Sequence, residues 1–62
     1  MSWLKEIRKN AGLTQRKTAE VAGVSRFYYI DIELGRREPN VKSAKKIAAV
    51  LGFDWTRFYE EQ

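Results

Sequence analysis

Residues 12–37, GLTQRKTAEVAGVSRFYYIDIELGRR, decide the fold of this chain. They read as a helix, a tight glycine turn and a second short helix that stops at another glycine. Thr14 is placed to cap the first helix and Gly23 to end it, while Ser25 and Gly35 do the same for the second. Ala19 is small where two helices crossing steeply need close backbone approach, and Val24 plugs the turn. Tyr29 and Ile32, three apart, fall on one face of the second helix and are expected in the core.

Working outward, Leu4 and Ile7 mark an inward face on a helix over about 2–11, stopped by Gly12. The pair just described spans about 15–22 and 26–33. Pro39 forbids helical continuation, and Asn40 caps a helix over about 41–51. Its apolar positions Val41, Ala44, Ile47, Ala48 and Leu51 form one stripe, and Gly52 ends it. Asp54 caps a last short helix, about 55–60, carrying Trp55, Phe58 and Tyr59. The strand-like run FYYI lies inside a capped helical pattern, so the reading is all-α: one compact domain, residues 1–62, of five helices. The expected core is Leu4, Ile7, Leu13, Ala19, Val24, Tyr29, Ile32, Ile47, Leu51 and Phe58.

Composition narrows the function. The chain has 62 residues and neither cysteine nor histidine. That removes disulfides, cysteine zinc sites, the commonest metal ligand and the commonest general acid–base. Neither an enzyme nor a metal or cofactor site is expected, nor a small-molecule ligand, because so short a chain leaves little room for a pocket. The charged start MSWLKEIRKN is not expected to act as a signal peptide, and the apolar run at 47–53 is too short to span a bilayer. A cytoplasmic protein without a membrane partner is therefore expected. Twelve basic residues against eight acidic ones give a net charge of +4. The charge is uneven: Arg36, Arg37, Lys42, Lys45 and Lys46 crowd 36–46 against Glu38, whereas 54–62 carries Asp54, Glu60 and Glu61 against Arg57.

Helix starts favour acidic residues, because the positive end of the helix dipole lies there. Three starts here carry cations instead: Arg16 and Lys17 after Thr14, Arg26 after Ser25, and Lys42 after Asn40. Each costs up to about 1 kcal/mol locally. A bound phosphate would offset that cost, since free backbone N–H groups and cations together attract anions; a screened, exposed charge is the alternative.

The two central helices have the helix-turn-helix layout, whose second helix enters the major groove of DNA. Four pieces in order, LKEIRKNAGLTQ (4–15), AxxxGVSR (19–26), IExGRRxP (32–39) and KIAxxLGF (46–53), followed by DWTRF (54–58), resemble the Cro/C1-type, lambda-repressor-like helix-turn-helix family. The resemblance implies a lambda-repressor-like fold and sequence-specific binding of double-stranded DNA by a small prokaryotic or phage-type transcription regulator. It implies a homodimer on a palindromic operator, because a single module reads few base pairs. Arg26, Phe27, Tyr28, Ile30 and Asp31 then read bases. Gln15, Arg16, Lys17, Arg36, Arg37, Asn40 and Lys42 contact phosphates, and Gln15 can also brace a side chain of the reading helix. Arg8 and Glu33 pair structurally, tying the first helix to the end of the third. Phe27, Ile30 and Asp31 depart from the family's usual polar reading face, which keeps a protein-interaction module on the same fold, antitoxin-like or coactivator-like, as the alternative.

Overall fold

A computed structural model describes residues 1–60; Glu61, counted above in the acidic tail, lies outside them. Four α-helices run in order: α1 (Ser2–Asn10), α2 (Gln15–Ala22), α3 (Arg26–Glu33) and α4 (Val41–Leu51). The expected fifth helix is instead a 3-10 helix, Trp55–Tyr59. Its five residues leave no room for an established α-helical ladder, and the tighter winding suits such short pieces. The chain contains no strand among the described residues, so FYYI is helical as its caps require.

The caps act as the sequence indicates. Thr14 Oγ1 accepts from the Lys17 N–H at 3.0 Å, Asn40 Oδ1 from Ser43 at 2.8 Å and Asp54 Oδ1 from Thr56 at 3.0 Å. Ser25 Oγ accepts from the Tyr28 N–H at a long 3.5 Å. At the α2–α3 turn, Gly23 takes φ 75°, and the Gly23 and Val24 N–H groups close onto the Glu20 and Ala19 carbonyls. This paired closure needs a left-handed residue, which glycine supplies without a Cβ penalty.

The core is built where α2, α3 and α4 meet, with α1 laid against α3. Leu4, Ala19, Tyr29, Ile32, Ile47, Leu51 and Phe58 are buried as expected, joined by Ala22, Ala44 and Ala48. Ile7, Leu13 and Val24 are only half-buried, packed on the rim of that cluster. Val41 departs from the α4 stripe: it is exposed, because the first turn of α4 runs out past the core. Trp3, Phe53 and Phe58 form a second, aromatic layer with ring centroids 5.3–5.4 Å apart. Among the described residues no helix is long and apolar enough to cross a membrane.

Candidate nucleic-acid interface

The third helix has two chemically distinct faces. Tyr29, Ile32 and Glu33 are buried. Phe27, 68% exposed, and Leu34, 56% exposed, lie on the other side with Arg26, while Ile30 and Asp31 are partly exposed between them. Phe27 and Leu34, largely exposed, lie outside the core, so the outward face is free to meet something else.

The buried side of α3 ends in a polar cluster. Glu33 accepts from Arg8 through both oxygens, Nε to Oε2 at 2.9 Å and Nη2 to Oε1 at 3.0 Å. The Tyr29 hydroxyl donates to Oε2 at 2.7 Å and Gln15 Nε2 to Oε1 at 3.2 Å. Arg8 Nη1 donates to the Leu13 carbonyl at 2.7 Å, so the guanidinium also holds the α1–α2 loop. Burial alone would raise the Glu33 carboxyl; the bonds from Arg8 and Tyr29, the Arg8 charge and the Gln15 bond outweigh it and hold it below the usual carboxylate range. The bond to Glu33 raises Arg8 against the opposing effect of burial. Burial, then Glu33, pushes the Tyr29 hydroxyl well above its ordinary value. This cluster fixes α1, α2 and α3 to one another at the end of the third helix.

The outward face of α3 carries Arg26, Phe27, Ile30 and Asp31, with Tyr28 at its border. The Arg26 guanidinium lies 5.0 Å from the Phe27 ring centroid, which holds two neighbouring side chains together at the start of α3. Arg36 Nη1 stands 3.9 Å from Asp31 Oδ1. That exposed, long contact is weak, and it sets a cation beside the Asp31 carboxylate. Tyr28 is half-buried; its hydroxyl accepts from the Asn40 N–H at 3.3 Å, and the Arg37 guanidinium lies 5.4 Å from its ring centroid.

The cations at the helix starts are exposed, and the first turns of α2, α3 and α4 contain no acidic residue. Arg16 and Arg26 line a shallow hollow between α2 and α3 with Ala19, Glu20 and Val24. Lys17 is engaged within its own helix by Glu20 at 3.1 Å, a solvent-exposed pair. Gln15 ties the start of α2 to the end of α3, and Tyr28 ties the start of α4 to the first turn of α3. Two groups of polar and cationic residues thereby attach to the two ends of α3, one face of which is exposed. Sequence reasoning missed the Tyr29 contact with Glu33, although the two stand four apart on a helix, where side chains meet. The Asp31–Arg36, Tyr28–Asn40 and Arg26–Phe27 contacts carried no such signal.

The helix-turn-helix family model matches residues 4–58. An uncharacterized HTH-type transcriptional regulator of Bacillus subtilis, YqaF, is 49% identical over 59 residues, covering 95% of this chain and 78% of that protein. The immunity repressor protein of Bacillus phage phi105 is 37% identical over 59 residues, covering 95% of this chain and 41% of the repressor. The Escherichia coli HTH-type transcriptional regulator PuuR is 33% identical over 58 residues, covering 94% of this chain and 31% of that regulator. No solved structure matches the chain. With the match running through both central helices and nearly the whole length, the chain belongs to the Cro/C1-type helix-turn-helix family.

Proposed function

We propose that this chain is a small transcription regulator that binds double-stranded DNA sequence-specifically, laying α3 in the major groove. The observation that carries the reading is the pairing of an outward α3 face with cationic helix starts attached to its two ends. Arg26 takes guanine O6 and N7 as a bidentate donor. Phe27 and Ile30 pack on thymine methyl groups, and Asp31 accepts from cytosine N4. Tyr28 borders this face. Gln15, Arg16, Lys17, Arg36, Arg37, Asn40 and Lys42 take backbone phosphates, which position the protein without reading sequence. A second copy on a palindromic operator supplies the affinity that one module lacks, and the protein works in the cytoplasm as a regulator rather than as an enzyme. The names of the relatives, HTH-type regulators and a phage immunity repressor, support the same reading.

Salt titration of duplex binding tests it. Log affinity is expected to fall linearly with log salt, by roughly 0.9 per phosphate neutralised. Lys42→Ala is expected to flatten that slope and weaken every duplex alike, whereas Arg36 also stands 3.9 Å from Asp31. A flat salt response of the intact protein overturns the reading.

A further inference from the structure

The peptide unit between Pro39 and Asn40 is held from both sides by tyrosine hydroxyls. Tyr28 Oη accepts from the Asn40 N–H at 3.3 Å, and Tyr59 Oη donates to the Pro39 carbonyl at 2.5 Å. The bond is trans, so its N–H and C=O point in opposite directions and the two tyrosines grip one plane from opposite edges. Pro39 itself is buried. The same unit opens α4: the Asn40 side chain caps Ser43, while the backbone N–H groups of Val41 and Lys42 fall in the first turn, which has no intrahelical acceptor for them.

The two tyrosines come from different elements. Tyr28 stands in the first turn of α3, and Tyr59 ends the 3-10 helix. A phenol titrates at about 10, so the Tyr59 hydroxyl holds its proton at neutral pH and donates it to the Pro39 carbonyl. An exposed N–H does not need Tyr28, because water would satisfy it at little cost. What the contact fixes is direction: the start of α4 relative to the start of α3.

We propose that Tyr28 and Tyr59 are positioning residues that clamp the Pro39–Asn40 peptide and so hold the phosphate-contacting start of α4 in register with the base-reading helix. This rests on the DNA-binding reading above and assigns Tyr28 a task other than reading a base. Tyr59, outside every DNA-contacting set named here, becomes part of the binding machinery.

Tyr28→Phe, Tyr59→Phe and the double variant test the clamp, each removing only an oxygen. Affinity is measured for one selected duplex and one random duplex across a salt series, at a temperature where thermal melts show all proteins folded. One neutral hydrogen bond corresponds to roughly two- to tenfold in an equilibrium constant. Each single variant is expected to weaken both duplexes by the same factor in that range and to flatten the salt slope. The double variant is expected to be no weaker than the worse single, because both groups act on one peptide unit. A changed ratio between selected and random duplex in Tyr28→Phe makes it a base reader and overturns the clamp. So does wild-type affinity in Tyr59→Phe, or additive losses in the double variant. A wild-type protein that binds neither duplex overturns the DNA-binding reading and the clamp together, whereas binding by the wild type with unaffected variants overturns the clamp alone.

Discussion

Glu33→Ala is expected to unfold most of this protein at moderate temperature. The carboxylate accepts four hydrogen bonds, two on each oxygen, from Arg8, Tyr29 and Gln15. Arg8 is 8% exposed and Tyr29 0% exposed, so neither can turn to water once the acceptor is gone. Removing one partner of a buried ion pair typically costs about 3–5 kcal/mol, because the other charge stays buried and unpaired. A domain of 62 residues holds roughly 3–9 kcal/mol in all, at about 0.05–0.15 kcal/mol per residue. The loss therefore takes most of the reserve, and at about 4–8 °C per kcal/mol it lowers Tm by roughly 12 °C or more. Urea and thermal unfolding followed by circular dichroism measure it. Glu33→Gln, which keeps an oxygen acceptor and the shape, is expected to fall between the alanine variant and the wild type. A Glu33→Ala protein melting within about 4 °C of wild type would refute the claim that this cluster ties the three helices together.

Further outcomes follow from the core, the pH response and the outward face. Ile47, fully buried on α4, is expected to cost about 2–5 kcal/mol when cut to alanine, and unchanged urea unfolding would show that α4 does not anchor the core. Because Glu33 titrates lower folded than unfolded, its stabilisation is complete above its unfolded pKa of about 4.3 and is lost as pH falls through the lower folded value. Tm is thus expected to fall on acidification below about pH 4 and to fall less in Glu33→Gln; identical acid limbs would contradict the lowered titration. Phe27→Ala, at an exposed side chain, is expected to leave Tm nearly unchanged while weakening duplexes with a thymine beside it, a loss that uracil at that base reproduces. Normal DNA binding with loss of a protein partner would mark Phe27 as a protein-docking anchor instead.

Most of the fold was legible because it is written in local chemistry. Thr14, Ser25, Asn40 and Asp54 each cap the helix they precede, and Gly23 and Gly52 take left-handed φ where α2 and α4 stop. Such signals act within a few residues and survive folding unchanged. The errors fall where tertiary geometry decides. Val41 fits the apolar period of α4 yet is exposed, since the period gives a face and not how far along that face the core extends. Ile7, Leu13 and Val24 have core chemistry at rim positions for the same reason.

Within the candidate site, sequence reading names residues but few of the contacts they make with one another. The Arg8–Glu33 pair forms as the family resemblance implies, and Gln15 reaches the end of α3, as a bracing residue there would. The partnership of Asp31 with Arg36 and the two tyrosines on one peptide join residues that no helical spacing brings together. Both depend on the path of the 34–40 loop, which carries no periodicity to read.

Base reading by α3 is tested most directly by selecting bound duplexes from a random pool, in parallel with the wild type and Arg26→Ala. The wild type is expected to enrich a palindromic sequence containing a guanine that Arg26 reads. The variant is expected to bind that sequence more weakly by about 1–3 kcal/mol and to lose its preference at that one base pair. Enrichment of no sequence by the wild type, or an identical enriched sequence from both proteins, would contradict the placement of α3 in the groove with Arg26 on a base.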